Sequence, residues 1–130
     1  MTEAPTSPTL IFVVEDQALL RMEAVDLLQE AGFETIDAEN SDFALEIMRL
    51  RWREVRVLFT DVQMPGRMDG VDLATEVHRC WPHVLLLVTS GGVALTDEDL
   101  PDHGKFLPKP YQASTLISQV RGLIARGHSY

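Results

Sequence analysis

The chain has 130 residues, and its 11 basic and 20 acidic side chains give a formal charge of −9. This length fits one domain, and a hydrophobic fraction of 45% is sufficient for a buried core. The acidic surface excludes nucleic acid and anionic membrane as expected partners, because both are bound through clustered lysine and arginine. A single cysteine, Cys80, excludes an internal disulfide, and the apolar runs are too short to span a bilayer. We therefore expect a cytoplasmic protein.

Five short segments along the chain have the composition of β-strands. The strongest are continuous apolar runs rich in β-branched residues, a pattern typical of strands buried on both faces. The predicted strands are Leu10–Val14, Glu34–Asp37, Val55–Phe59, Val84–Val88 and Lys105–Leu107.

The first two predicted helices lie between the first three strands. Helix one covers Ala18–Ala31 and ends at Gly32, a residue type that commonly follows helices. Helix two begins at Ser41 or Asp42, since either side chain is able to cap it. Its apolar residues are Phe43, Ala44, Ile47 and Met48.

Two more helical patterns complete an alternation of strands and helices. One opens at Asp69 and Gly70 and ends before Pro82, and the last covers about Ala113–Ala125. Alternating strands and helices predict a parallel sheet covered on both faces. Five strands in this length favour a doubly wound, flavodoxin-like (βα)5 fold with strand order 2-1-3-4-5.

The segment Gly91–Gly104 interrupts this alternation. It contains three glycines, one proline and four acidic residues, and only Val93–Leu100 could be helical, with Thr96 as its best cap. We therefore predict that the fourth helix is short or irregular.

Polar side chains follow the strands at the edge where the carboxyl ends of parallel strands meet. They are Glu15, Asp16, Asp61, Thr89 and Lys109. Three acids brought together repel one another unless a cation is present, and oxygen ligands of this kind suit Mg²⁺. With Mg²⁺ and lysine nearby, one carboxylate could attack a phosphoryl group and hold it as an aspartyl phosphate.

Each of these residues also has an ordinary structural interpretation when taken singly. An acid before a helix often caps it, and a lone polar residue after a strand often lies in a turn or an exposed loop. The combination favours a site, because independent explanations would have to place acid, acid, hydroxyl and lysine at successive strand ends.

With these residues, the chain resembles the receiver domain of two-component response regulators from about Thr9 to Ala125. As a set the matching motifs are highly specific. They are Val13-Val14-Glu15-Asp16, Thr60-Asp61-Val62-Gln63-Met64-Pro65, Met68-Asp69-Gly70, Val88-Thr89-Ser90-Gly91 and Phe106-Leu107-Pro108-Lys109-Pro110-Tyr111.

The resemblance implies that Asp61 accepts a phosphoryl group. It also implies that Glu15, Asp16, Asp61 and the backbone carbonyl of Gln63 hold Mg²⁺. The acidic pair is Glu-Asp instead of the commoner Asp-Asp, which gives the first ligand a longer arm. The loop after Asp61 also carries an extra Gly66-Arg67.

Three further roles are implied by the same resemblance. Thr89 would be the switch hydroxyl, Phe106 the switch aromatic, and Lys109 the positive charge that contacts the phosphate. The Lys109–Pro110 bond is expected to be cis. Phe106 has no hydroxyl, and simple core packing is an equally good interpretation of it.

A possible docking surface comes from the geometry of helix one. At about 100° per residue, Ala18, Met22 and Val25 lie away from the predicted core stripe. An apolar stripe on the solvent side suggests a site for another helix. In the receiver family, this helix packs against a histidine kinase or phosphotransfer protein. Scattered apolar surface residues are the alternative.

We therefore expect a stand-alone receiver over residues 9–126, with flexible termini at 1–8 and 127–130. Its expected partners are a sensor histidine kinase or histidine phosphotransfer protein, and it would be a monomer or weak dimer. It would be a signalling switch or a phosphate sink that phosphorylates and dephosphorylates itself, not a metabolic enzyme. The alternative is a pseudo-receiver that binds proteins without phosphorylation.

Overall fold

The structure, a computed structural model, describes residues 8–92, 94–101 and 104–127. Five parallel strands form one sheet in the order β2-β1-β3-β4-β5, which confirms the predicted flavodoxin-like topology. The strands are β1 (Leu10–Val14), β2 (Glu34–Ala38), β3 (Val55–Asp61), β4 (Leu85–Ser90) and β5 (Lys105–Pro108). The α-helices are α1 (Ala18–Glu30), α2 (Ser41–Arg51), α3 (Gly70–Cys80) and α4 (Ala113–Gly127).

Helices cover both faces of the sheet, which explains why β1 is apolar throughout. In β1, Phe12 belongs to the core on the side of α2 and α3, whereas Ile11 and Val13 belong to the core on the side of α1 and α4. Successive side chains of a strand point to opposite faces. A strand between two helical layers therefore needs hydrophobic residues at every position.

The turn that leads into α3 requires close packing against the end of β3. Asp69 caps α3 by accepting a hydrogen bond from the Asp72 backbone, and the Asp72 carboxylate accepts one from the Asp69 backbone. The next residue, Gly70, donates its N–H to the Val62 carbonyl at 2.8 Å. A Cβ at Gly70 would overlap the carbonyl oxygen of Asp61. Only glycine therefore fits at this position.

The start of α2 differs from the prediction. Asn40 is the cap, because its side chain accepts a hydrogen bond from the Phe43 backbone at 2.9 Å. Ser41 is buried and donates its hydroxyl to the Met68 carbonyl instead, so it was wrongly predicted as a cap, as was Asp42. Phe43, expected among the apolar residues of this helix, is 51% exposed.

The segment between β4 and β5 is irregular, as predicted. Its described residues contain one short 3₁₀ turn, Asp97–Asp99, with Thr96 as the cap. Val93, the first residue of the predicted helical stretch, lies outside the described residues.

Gly127, which was expected to begin the C-terminal tail, is the last residue of α4. Residues 1–7 and 128–130 lie outside the described part of the chain, so the predicted flexible termini stay a prediction. None of the helices in the described ranges combines the length and the hydropathy needed to cross a bilayer.

Candidate functional site

Three carboxylates meet at the carboxyl edge of the sheet and form what we call the acidic cluster: Glu15, Asp16 and Asp61. Oxygen atoms from the three side chains all lie within 4.8 Å of one another. Glu15 follows β1 and Asp61 ends β3, so the neighbouring positions of these two strands bring them together. Glu15 and Asp61 are buried, whereas Asp16 is more accessible to solvent.

The crowding of negative charge changes the acidity of Glu15. Burial raises its pKa to about 7, and the neighbouring Asp61 acts in the same direction. A hydrogen bond from the Gln17 backbone to the Glu15 carboxylate opposes this rise without reversing it. The acidic cluster therefore has an excess of negative charge, which a bound cation would neutralise.

Lys109 supplies part of that positive charge. Its Nζ lies 2.6 Å from Asp61 Oδ2 and 3.2 Å from Glu15 Oε1, so one ammonium group bridges two buried carboxylates. Burial disfavours the ammonium form, yet the pKa of Lys109 is raised because Asp61 and Glu15 outweigh that effect. The Lys109 backbone donates to the Ser90 carbonyl at 3.0 Å, and the Lys109–Pro110 bond is cis, as expected.

Of the two predicted switch residues, Thr89 lies beside Asp61 in the sheet and lines a small cavity with Glu15 and Asp61, whereas Phe106 lies on β5. Thr89 is buried, and its hydroxyl donates to the Leu107 carbonyl at 2.6 Å. Phe106 is half-buried and packs against the core on the side of α2 and α3. Phe106 thus makes core contacts, and the switch roles of Thr89 and Phe106 stay predictions.

The loop after β3 closes the site from one side. The Gln63 backbone donates its N–H to Asp61 Oδ1 at 3.1 Å, which fixes one oxygen of that carboxylate. The predicted use of the Gln63 carbonyl as a metal ligand stays a prediction. An open cleft of about 740 Å³ lies over the site, which is ample for a phosphoryl group and a hydrated ion. Its lining includes Asp16, Asp61, Gln63, Met64, Pro65 and Lys109.

With this geometry established, comparison with known proteins decides the family. The family described as "Response regulator receiver domain" matches residues 11–121. The chain belongs to this family. It is therefore a receiver domain of the two-component type, as the motif set predicted.

Individual relatives agree with this assignment. The sensor kinase CckA of Brucella abortus (strain 2308) is 33% identical over 119 residues, covering 89% of this chain and 12% of that protein. The transcriptional regulatory protein PdtaR of Mycobacterium tuberculosis (strain ATCC 25618 / H37Rv) is 30% identical over 128 residues, covering 92% of this chain and 58% of that protein. This receiver thus spans less than two thirds of either relative.

A solved structure supports the fold of the receiver. The response regulator receiver domain protein from Clostridium thermocellum has a TM-score of 0.84 and 25% sequence identity. The match covers 91% of this chain and 95% of that one.

The docking surface predicted on α1 is only partly as expected. Ala18 and Met22 are exposed, but Val25 is half-buried and packs against the core on the side of α1 and α4. Val25 lies only about 60° around the helix from the buried Leu28, so it flanks the core stripe. The exposed apolar surface of α1 includes Leu19 instead, which is 76% exposed and was not predicted.

Two residues that organise the receiver were missed by the sequence analysis. Arg21 donates to the Glu15 carbonyl at 2.8 Å and pairs with Asp37 at 3.0 Å, so it ties α1 to the ends of β1 and β2. Asp97 accepts a hydrogen bond from the Phe106 backbone at 2.9 Å. Neither residue lies in a motif, and a single charge gives no indication of its partner in a sequence.

Proposed function

We propose that this receiver accepts a phosphoryl group on Asp61. The observation that carries the proposal is a buried carboxylate at the floor of an open cleft, held by a lysine ammonium on one oxygen and a backbone N–H on the other. These contacts orient the side chain for attack by one oxygen. Relatives named as a sensor kinase and a transcriptional regulator are consistent with a signalling role.

The chemistry is a transfer between two covalent carriers. An Asp61 oxygen forms a bond to phosphorus as the bond from phosphorus to the donor nitrogen of a phosphohistidine breaks, and the histidine leaves as the neutral imidazole once protonated. The Lys109 ammonium already lies at Asp61 Oδ2, from which it reaches an oxygen of the incoming group. A fixed positive charge at that position stabilises the charge that builds up during transfer.

The acidic cluster fits Mg²⁺ in its donor chemistry. The site has an excess of negative charge, because three carboxylates offer oxygen atoms within 4.8 Å of one another and the pKa of Glu15 is raised. Glu15, Asp16, Asp61 and the Gln63 carbonyl are the groups we propose as ligands. When bound, the ion supplies positive charge to the phosphoryl oxygens.

Thr89 and Phe106 connect this site to the surface in our proposal. The Thr89 hydroxyl now binds the Leu107 carbonyl on β5. A phosphoryl group on Asp61 offers a charged acceptor for the same hydroxyl, and hydrogen bonds to charged acceptors are the stronger ones. Exchange of partners would release one contact of β5 next to Phe106 and bias a two-state surface.

The proposed donor is a sensor histidine kinase or a histidine phosphotransfer protein that docks on α1. Ala18, Leu19 and Met22 give this helix an exposed apolar surface near the cleft, and such a surface suits a partner helix. Hydrolysis of the aspartyl phosphate resets the switch or drains phosphate from the kinase, so the receiver signals and does not act as a metabolic enzyme.

A phosphorylation assay tests the acceptor. The receiver is incubated with acetyl phosphate and Mg²⁺, and its intact mass is measured. We expect the mass of one added phosphoryl group in the wild type and in Asp26→Asn, an exposed control on α1, and no addition in Asp61→Asn. Absence of the adduct in the wild type at saturating donor would overturn the proposal in favour of a pseudo-receiver.

A second experiment separates docking from chemistry. Met22→Glu should slow transfer from a phosphorylated histidine kinase and leave labelling by acetyl phosphate unchanged. Leu50→Glu, an exposed leucine on α2 across the sheet, is the matched control and should affect neither reaction. Equal loss in both reactions for Met22→Glu would contradict docking on α1.

A further inference from the structure

Helix α2 carries an exposed apolar face that the proposed function does not use. Phe43 is 51% exposed and Leu50 is 85% exposed. They are seven residues apart, so at about 100° per residue they lie on the same side of the helix. Among the described residues, large hydrophobic side chains that are more than half exposed occur on two helices. Besides Phe43 and Leu50 on α2, they are Leu19 and Met22 on α1.

Charge is distributed along this face with a clear polarity. Asp42 lies in the first turn of α2 and Glu46 at its middle, whereas Arg49 lies in its last turn. Arg53 lies just beyond the helix end, with its guanidinium over the Trp52 ring. All four charged side chains are exposed. At about 100° per residue they fall on one flank of the apolar face. One end of this flank is therefore acidic and the other end is basic.

We propose that the α2 face binds a second copy of this chain, with the two helices antiparallel. A two-fold axis brings the same flank of both α2 helices together, and the two helices then run in opposite directions. The acidic end of one α2 then meets the basic end of its partner on both sides of the axis. Phe43 of one copy meets Leu50 of the other in the same arrangement. A surface that complements itself in this way fits its own copy better than an unrelated helix.

The size of the face makes this association weak. An 11-residue helix is about 16 Å long, so the contact is smaller than the roughly 800 Å² per partner that stable complexes bury. The net charge of −9 also opposes self-association. We expect a dissociation constant of about 0.1 mM.

The proposed dimer leaves the phosphoryl chemistry accessible. Helix α2 packs on one face of the sheet and α1 on the other. The kinase-docking surface proposed on α1 and the α2 face can therefore be occupied together. The inference does not depend on phosphorylation of Asp61.

Sedimentation analysis over protein concentrations up to about 1 mM tests the proposal. The wild type should show a reversible monomer–dimer equilibrium that weakens as salt is added. Leu50→Glu should weaken the dimer about tenfold or more. Leu19→Glu, the matched exposed leucine on α1, should leave it unchanged. A wild type that stays monomeric at about 1 mM overturns the proposal.

Charge reversal gives a sharper test, because the proposed interface pairs acid with base across two copies. Glu46→Arg and Arg49→Glu should each dimerise less than the wild type. An equimolar mixture of the two variants should form a heterodimer at least as tight as the wild-type dimer, since one α2 is then basic and the other acidic at these positions. Thermal unfolding confirms that each variant is folded. A mixture that associates no better than its separate components overturns the antiparallel arrangement.

Discussion

Lys105 begins strand β5 and Lys109 follows its last residue. The two lysines pair with aspartates in very different surroundings. Lys109 Nζ is 2.6 Å from Asp61, and the exposed side-chain fractions are 22% and 6%. Lys105 Nζ is 3.1 Å from Asp97, with fractions of 27% and 48%. The chemical groups are the same, and burial of the aspartate is the main difference.

Burial determines what each pair contributes. At Lys109–Asp61 the carboxylate is largely buried at the floor of the cleft and lies beside Glu15, so the ammonium balances much of the local negative charge. At Lys105–Asp97 solvent screens the attraction, and such pairs contribute little to stability. The first pair therefore belongs to the site that we propose for phosphoryl transfer, and the second belongs to the structure that holds an irregular segment on β5.

The largest expected effect comes from breaking the buried pair. Lys109→Gln should lower the initial rate of labelling by acetyl phosphate about 100-fold or more, because it removes a fixed charge at the oxygens of the transferred group. Lys105→Gln, at the other end of the same segment, is the matched control and should label at the wild-type rate. If the two variants were labelled at equally reduced rates, the proposed difference between the Lys109–Asp61 and Lys105–Asp97 pairs would be wrong.

The next effect is on Mg²⁺ affinity as a function of pH. Since the pKa of Glu15 is about 7, Mg²⁺ must displace a proton below that pH, and affinity should fall about tenfold per pH unit there. Titration calorimetry between pH 5.5 and 8 at about half-unit steps measures this slope. In Asp61→Asn, the pH range over which the Mg²⁺ affinity falls should lie lower, because Asp61 is one cause of the raised pKa of Glu15. A constant affinity across this range would contradict the prediction.

The same shift has a defined sign for the stability of the metal-free protein. The pKa of Glu15 is higher in the folded state than its ordinary value of 4.5. The stability it contributes is therefore complete below about pH 4.5 and is lost as the pH rises through about 7. Added Mg²⁺ should consequently raise the melting temperature more at pH 8 than at pH 5.5.

The sequence was sufficient to predict the fold and the meeting of Glu15, Asp61 and Lys109, because both depend on repeated patterns. Apolar strands and helical spacing predicted the sheet order, and polar residues after successive strands predicted that Glu15, Asp61 and Lys109 would meet. Parallel strands bring their carboxyl ends to one edge regardless of detail.

The features that could not be predicted from the sequence depend on single hydrogen bonds and on small differences in angular position around a helix. Asn40 caps α2 although Ser41 and Asp42 are equally able to cap a helix, and the choice depends on Ser41 binding the Met68 carbonyl in the folded chain. Val25 packs inward because of its position beside Leu28. Contacts of this kind are set by tertiary packing, which no local pattern encodes.

A smaller effect is expected at the exposed pair, from Asp97. This side chain accepts hydrogen bonds from the Phe106 backbone at 2.9 Å and from Lys105. Asp97→Ala should lower the free energy of unfolding by about 1 kcal/mol and raise hydrogen exchange at the Phe106 amide about fivefold. Glu98→Ala, at an exposed position of the same 3₁₀ turn, is the control and should leave that amide unchanged. Equal exchange in Asp97→Ala and the wild type would show that Asp97 does not hold β5.

The link formed by Asp97 should also weaken at low pH. Partial burial opposes ionisation, but the hydrogen bonds from Phe106 and Lys105 prevail and lower the pKa of Asp97 below its ordinary value of 3.8. A lowered folded-state pKa means that the stabilisation is present above about pH 3.8 and is lost as the pH falls through the folded value. Exchange at the Phe106 amide in the wild type should then approach that of Asp97→Ala.

The smallest effect is expected from Lys105→Met, which removes the exposed ion pair and retains the length of the side chain. The free energy of unfolding should change by about 0.5 kcal/mol or less, and added salt should reduce the difference from the wild type further. The Phe106 amide should keep its protection, because its acceptor on Asp97 remains. If Lys105→Met instead destabilised the protein as much as Asp97→Ala, the ion pair would be the main link to β5. The contrast between the two lysine–aspartate pairs would then depend on their position in the fold and not on burial of the aspartate.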